Sequence, residues 1–96
     1  MGSITPQTPY MQQVLLALGE RMRQLRDKQD FSQEAFADHC GLHRTAVSLI
    51  ERGKRVPSLT TLLTISRGFG ISVSELLRGV DRGMAIKKYR RSKSGL

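Results

Sequence analysis

Residues 41–58 read GLHRTAVSLIERGKRVPS. Arg44, Thr45, Ser48, Leu49, Arg52, Lys54, Arg55 and Ser58 are the side chains in it that can do chemistry, and that chemistry is non-covalent. The Arg44 guanidinium offers two parallel N–H donors, a match for the O6 and N7 acceptors on the major-groove edge of guanine. The hydroxyls of Thr45 and Ser48 can each bond a base edge or a phosphate. Leu49 can meet a thymine methyl. Arg52, Lys54 and Arg55 supply positive charge, and Ser58 opens a further helix whose free backbone N–H groups favour an anion. Contacts of this second kind grip a nucleic-acid backbone without reading its sequence.

These residues need a helix to aim them and a core to hold that helix. The apolar residues of the stretch are Leu42, Val47 and Ile50. With Val47 and Ile50 facing a core, positions 44, 45, 48, 49 and 52 face outward. The rest of the chain supplies the partners. Leu15, Leu18, Met22 and Leu25 recur at spacings of three and four, which predicts an amphipathic helix over 11–29. Ser32 caps a second helix, 33–40, with Phe31 and Phe36 as a hydrophobic staple and Gly41 as its stop. His43, a poorer cap, precedes a third helix over 44–52 that Gly53 ends. Ser58 caps a fourth, 59–69, with Leu59, Leu62, Leu63 and Phe69 as its core residues and Gly70 as its stop. Ser72 and Glu75 form a capping box, with Ile71 and Leu76 as its staple, opening a short fifth helix that ends before Gly79. Residues 1–10, with two prolines, read as a flexible arm, 11–80 as the folded domain and 81–96 as a basic tail.

The composition fits this outline. The chain has 96 residues, enough for one modest core. Only 5% are aromatic against 39% hydrophobic, which favours a Leu/Ile/Val core in an all-α fold over a β-sandwich. The +8 charge is unevenly placed: through residue 81 ten basic residues face eight acidic ones, and from 82 onward six basic residues stand alone. That asymmetry implies a tail drawn to polyanions. The single cysteine, Cys40, excludes an intrachain disulfide and fits a reducing compartment. No apolar run approaches the roughly 20 residues of a membrane span. The N-terminus MGSITPQTPY lacks the basic-then-apolar order of a secretory leader, so a cytoplasmic protein without a membrane partner is expected.

Two helices joined by a glycine-containing turn form a helix-turn-helix only if they can approach closely. That demands a small residue inside the first helix, a glycine at the turn and apolar residues at the contacts. Ala37, Gly41 and the set Phe36, Cys40, Leu42, Val47 and Ile50 fill those positions. Residues 18–78 resemble the phage-repressor/Cro family of DNA-binding domains through MRQLRDKQDFSQEAFA, GLHRTAVSLIERGKRVPS and GISVSELL. Among its members the chain is most like small stand-alone regulators such as the controller proteins of restriction–modification systems. The resemblance implies a lambda-repressor-like five-helix bundle. It also implies sequence-specific regulation of transcription as a homodimer on an inverted-repeat operator in double-stranded DNA. It implies that Gln33 touches a phosphate, that Arg26 and Glu51 form a structural ion pair, and that the dimer forms through Val73, Leu77 and Val80 on and beside the fifth helix.

Other readings weigh less. His39, Cys40 and His43 suggest a metal site, but the turn separates them and no second ligand pair follows, so no metal or other cofactor is expected. No nucleophile–base pair or paired carboxylates point to an enzyme. An antitoxin would use the same bundle and hold a toxin through an apolar stripe in the tail, where Met84, Ile86 and Tyr89 are sparse. A non-specific nucleic-acid binder would work through the tail alone.

Overall fold

The computed structural model describes residues 9–82 as five helices: α1 (Pro9–Lys28), α2 (Gln33–Cys40), α3 (Arg44–Glu51), α4 (Leu59–Phe69) and α5 (Val73–Leu76). Most of the N-terminal arm and of the basic tail, including the run from Lys87 to Arg91, lies outside the described residues. No strand occurs among those described.

The helix boundaries follow from local chemistry. Helix α1 begins at Pro9, two residues before the expected 11. Proline suits a first turn, where its missing N–H has no partner to lose. The end of α1 carries no glycine. Asp30 instead takes the left-handed conformation at φ 61°, while the Phe31 N–H donates to the Arg26 carbonyl at 2.9 Å. Aspartate is among the few non-glycine residues that enter this region readily. Ser32, Ser58 and Ser72 each accept a hydrogen bond from the backbone N–H three residues on, whereas His43 makes no side-chain cap bond. Helix α3 stops one residue short of the expected 52. Arg52 leaves the helix, Gly53 turns left-handed at φ 69°, and the Lys54 N–H closes on the Leu49 carbonyl at 2.8 Å.

The core gathers Leu18 and Met22 of α1, Phe36 and Ala37 of α2, Val47 and Ile50 of α3, Ile65 and Phe69 of α4, and Leu76 of α5. Phe36 is its centre, stacked on Phe69 at 4.2 Å and met edge-on by Phe31 at 5.3 Å. On α4 the core face differs from expectation. Leu62, Ile65, Ser66 and Phe69 turn inward, whereas Leu59 and Leu63 are 66% and 45% exposed. Spacings of three and four link both sets, so periodicity alone did not separate them. The Ser66 hydroxyl is buried without penalty because it donates to the Leu63 carbonyl at 3.0 Å.

The closest approach in the fold is between α1 and α3. A Cβ on Gly19 would stand 2.0 Å from the Glu51 carbonyl oxygen and 2.9 Å from its Cα. Those are backbone atoms, which cannot swing aside. Gly68 plays a milder version of this part between α4 and α2, where a Cβ would meet the Cys40 Sγ at 2.3 Å. Glycine in a helix interior is about 1 kcal/mol worse than alanine, so on propensity alone Gly19→Ala would stabilise the protein. The close approach reverses that expectation. Gly19→Ala should lower stability by about 1–3 kcal/mol, the usual range for overpacking. Urea denaturation measures this, and a raised midpoint would contradict the α1–α3 contact.

Candidate nucleic-acid interface

Helix α3 is seated by Val47 and Ile50, which are 0% and 1% exposed. At about 100° per residue this seat turns Thr45 and Arg52 most directly outward, with Ser48 and Leu49 on either side of them and Arg44 at one flank. Arg44, Thr45 and Arg52 are exposed, whereas Ser48 and Leu49 are half-buried. None of the five side chains makes a hydrogen bond or ion pair with another described residue, so the face offers its donors and acceptors free to a partner.

A charged network fixes α3 from behind. The Arg26 Nε donates to Glu51 Oε2 at 2.5 Å and its Nη2 to Oε1 at 2.9 Å, with side chains 10% and 4% exposed. A third bond, from Arg26 Nη1 to the Phe31 carbonyl at 2.8 Å, ties the α1–α2 turn to the same guanidinium. The hydrogen bond that Arg26 donates to Glu51 is the main cause that raises the Arg26 pKa further, against the opposing effect of burial. Gln33, at the first position of α2, joins in, donating from Nε2 to Glu51 Oε1 at 3.0 Å. One N–H of that amide is therefore occupied, which leaves its second N–H for other use.

The turn after α3 carries the remaining basic residues. Lys54 and Arg55 are exposed, and neither is paired with a described residue. They are held in place through Gly53, which is buried against Leu16 and whose carbonyl accepts from Gln12 Nε2 at 3.3 Å. The Ser58 hydroxyl is engaged with Thr61, accepting from its N–H at 3.1 Å and donating to its Oγ1 at 3.0 Å. What Ser58 leaves to an anion is the row of free N–H groups at the start of α4. Gln12, Leu16 and Gly19 were not singled out in the sequence. Their signal there is slight: a glycine inside a helix, and two positions off the apolar stripe.

His39, Cys40 and His43 serve other ends. The His39 Nε2 donates to the Gly68 carbonyl at 3.0 Å, and the Cys40 side chain packs against Gly68. Burial pushes the Cys40 thiol up to about 11, so it is a protonated packing group rather than a thiolate. Among the described residues no group of three or more His, Cys, Asp or Glu side chains is placed to hold a metal ion.

The pair α2–α3, with Ala37 98% buried at the crossing and Gly41 left-handed at φ 72° in the turn, meets the steric demand of the motif. The helix-turn-helix family model matches residues 22–76. The chain belongs to this family. Within it, the control protein C.MunI of Mycoplasma sp is 42% identical over 73 residues, covering 75% of this chain and 99% of that protein. The solved restriction–modification controller protein C.AhdI of Aeromonas hydrophila is 39% identical, with a TM-score of 0.63 over 65% of this chain and 94% of its own. The controller protein C.Esp1396I, solved as a tetramer in complex with its natural 35-base-pair operator, is 26% identical with a TM-score of 0.63, covering 72% of this chain and 95% of its own. This helix-turn-helix protein is thus homologous to restriction–modification controller proteins, and its outward α3 face is the second helix of the motif.

The buried network gives this face a stability signature. Removing the Glu51 carboxylate leaves the Arg26 charge buried and uncompensated, which for such a pair costs about 3–5 kcal/mol. Glu51→Ala should lower the melting temperature of the free protein by roughly 12 °C or more at this domain size. Calorimetry without DNA checks it, and unchanged melting would mean the pair contributes nothing to the fold.

Proposed function

We propose that this protein is a sequence-specific transcriptional regulator that places α3 in the major groove of double-stranded DNA, and that it binds an inverted-repeat operator as a homodimer. The observation that carries the proposal is the outward face of α3, whose Arg44, Thr45, Ser48 and Leu49 are aimed by a buried seat and left without internal partners. The operator-bound state of C.Esp1396I and the likeness to C.AhdI support it. Arg44 forks onto guanine, Thr45 and Ser48 bond base edges, and Leu49 meets a thymine methyl. Gln33, Arg52, Lys54, Arg55 and the N–H groups beside Ser58 grip phosphates and set the register. The work is done in the cytoplasm.

One α3 reads only a few base pairs. A two-fold dimer sets two of them about one helical turn apart, roughly 34 Å, and so doubles the site. Val73, Leu77 and Val80 form the proposed interface. All three are half-buried in the protomer, and Leu77 and Val80 already pack partly on its own core. Control then follows from the protein's own concentration through dimerisation and operator occupancy.

Selection of the wild-type protein against random duplex should enrich an inverted repeat. Binding titrations of variants on that duplex, its single-base variants and random DNA then separate reading from gripping. Arg44→Ala should erase about 1–3 kcal/mol of preference at one base pair per half-site, with little effect on random DNA. Lys54→Ala and Arg55→Ala should weaken specific and random duplex alike, each lowering the slope of log affinity against log salt by about 0.9. Equal weakening of every duplex by Arg44→Ala would make Arg44 a phosphate contact and α3 differently seated.

The tail beyond Arg82 adds five basic residues to this account. A chain ending at Gly83 should bind random duplex more weakly and with a shallower salt slope, while enriching the same repeat. Loss of the preference on truncation would assign base reading to the tail.

A further inference from the structure

Helix α5 has four residues, too few to hold a helix by itself, since the first turn fixes three residues for one hydrogen bond. Leu76 anchors it in the core at 0% exposure. The Arg78 N–H donates to the Glu75 carbonyl at 3.2 Å, and a second outside donor to the last carbonyls is Arg21 on α1. The Arg21 Nη2 donates to the Glu75 carbonyl at 2.7 Å and its Nε to the Leu76 carbonyl at 3.3 Å. The same Nη2 reaches Glu75 Oε2 at 3.1 Å, and Arg78 takes the other carboxylate oxygen at 2.5 Å. The Glu75 carboxylate is thereby spent on two arginines rather than on closing the capping box back to Ser72, whose hydroxyl makes only its own half of that box.

From this geometry we infer that Arg21 is a positioning residue for dimerisation: by holding the end of α5, it presents Val73, Leu77 and Val80 as one surface to a second copy of the chain. The inference rests on the dimer reading proposed above. Arg21 bonds the backbone and carboxylate at the end of α5 and lines the same surface hollow as Val80, and the α1–α4 core of Leu18, Met22, Phe36, Val47 and Ile65 is assembled without it. Its removal therefore loosens the end of α5 and the turn to Val80 while leaving the reading helix in its seat. Leu76 still anchors α5 on the core, so the loosening falls on the turn from Leu77 to Val80; it must be reversed before the two faces meet, and that cost falls on association.

The test is sedimentation equilibrium of the full chain, wild type against Arg21→Ala, Arg21→Lys and Val73→Asp, with amide NMR spectra of each. Arg21→Ala should raise the dimer dissociation constant about tenfold or more, the loss expected for hydrogen bonds from a charged donor. The amide positions of α2 and α3 should stay as in wild type. Arg21→Lys keeps the charge but reaches one acceptor instead of a planar set, and should lose most of the same affinity. If both Arg21 variants pair like wild type while Val73→Asp is monomeric, the dimer surface stands and Arg21 has no part in it. If Arg21→Ala fails to fold, Arg21→Lys decides alone, and a folded Arg21→Lys with wild-type pairing overturns the inference. A wild type that stays monomeric at tens of micromolar, or a Val73→Asp that pairs normally, removes the α5 dimer surface and the inference with it.

Discussion

Glu51 stands where the two demands on α3 meet. Its backbone lies so close to Gly19 that no side chain fits between the helices, and its carboxylate closes on Arg26 through two hydrogen bonds. The first contact sets the distance of α3 from α1, and the second sets its rotation and slide, because a bidentate fork tolerates little misalignment. Each needs the other. A buried charge pair is worthwhile only if its geometry is good, and the glycine brings the partners within reach. Everything that faces outward from α3 inherits its aim from this corner.

Helix α1 extends the same logic along its length. Gln12 and Leu16 hold the Gly53 turn, Gly19 and Arg26 hold α3, and Arg21 holds the end of α5. Helices of eight and four residues cannot persist alone in water, where isolated helices shorter than about 12–15 residues are marginal. The 20-residue α1 is the one element long enough to serve as a common support. The α3 face, the Gly53 turn and the end of α5 therefore rest on one helix, each through its own α1 residues.

Much of this was legible because helix ends are written in local chemistry. Ser32, Ser58 and Ser72 cap, Gly41, Gly53 and Gly70 stop, and α2 and α4 begin and end where those residues placed them. The identities of the α3 seat, Val47 and Ile50, followed from the same pattern. Three things were not legible in that way. The end of α1 depends on Asp30 accepting a left-handed backbone, which its type permits but does not announce. The inward face of α4 is decided by whether Phe36 finds Phe69, and Leu59 and Leu63 share the spacing of a buried stripe without sharing its contacts. Gly19, Gln12 and Arg21 act through partners 32 to 55 residues away, and a local pattern holds no information at that range. The Arg26–Glu51 pair spans 25 residues, also beyond a local pattern, and only the resemblance of the surrounding segments pointed to it.

The division of α3 into two faces has an energetic consequence. Val47 and Ile50 contribute to stability by being buried, at about 1.5–3 kcal/mol for such a side chain. Arg44, Thr45 and Arg52 contribute almost nothing to it, since they are exposed and have no internal partners. Their donors are also not competed for by the fold, so a partner gains their hydrogen bonds without first breaking others. Ser48 and Leu49, half-buried, sit at the margin where the two roles begin to overlap. Substitutions at 44, 45 and 52 can therefore change the outward face while leaving the bundle intact. Substitutions at 19, 26, 47, 50 and 51 change whether there is an aimed helix at all. The separation holds because the support reaches α3 from behind, through Glu51, and never through its outward face.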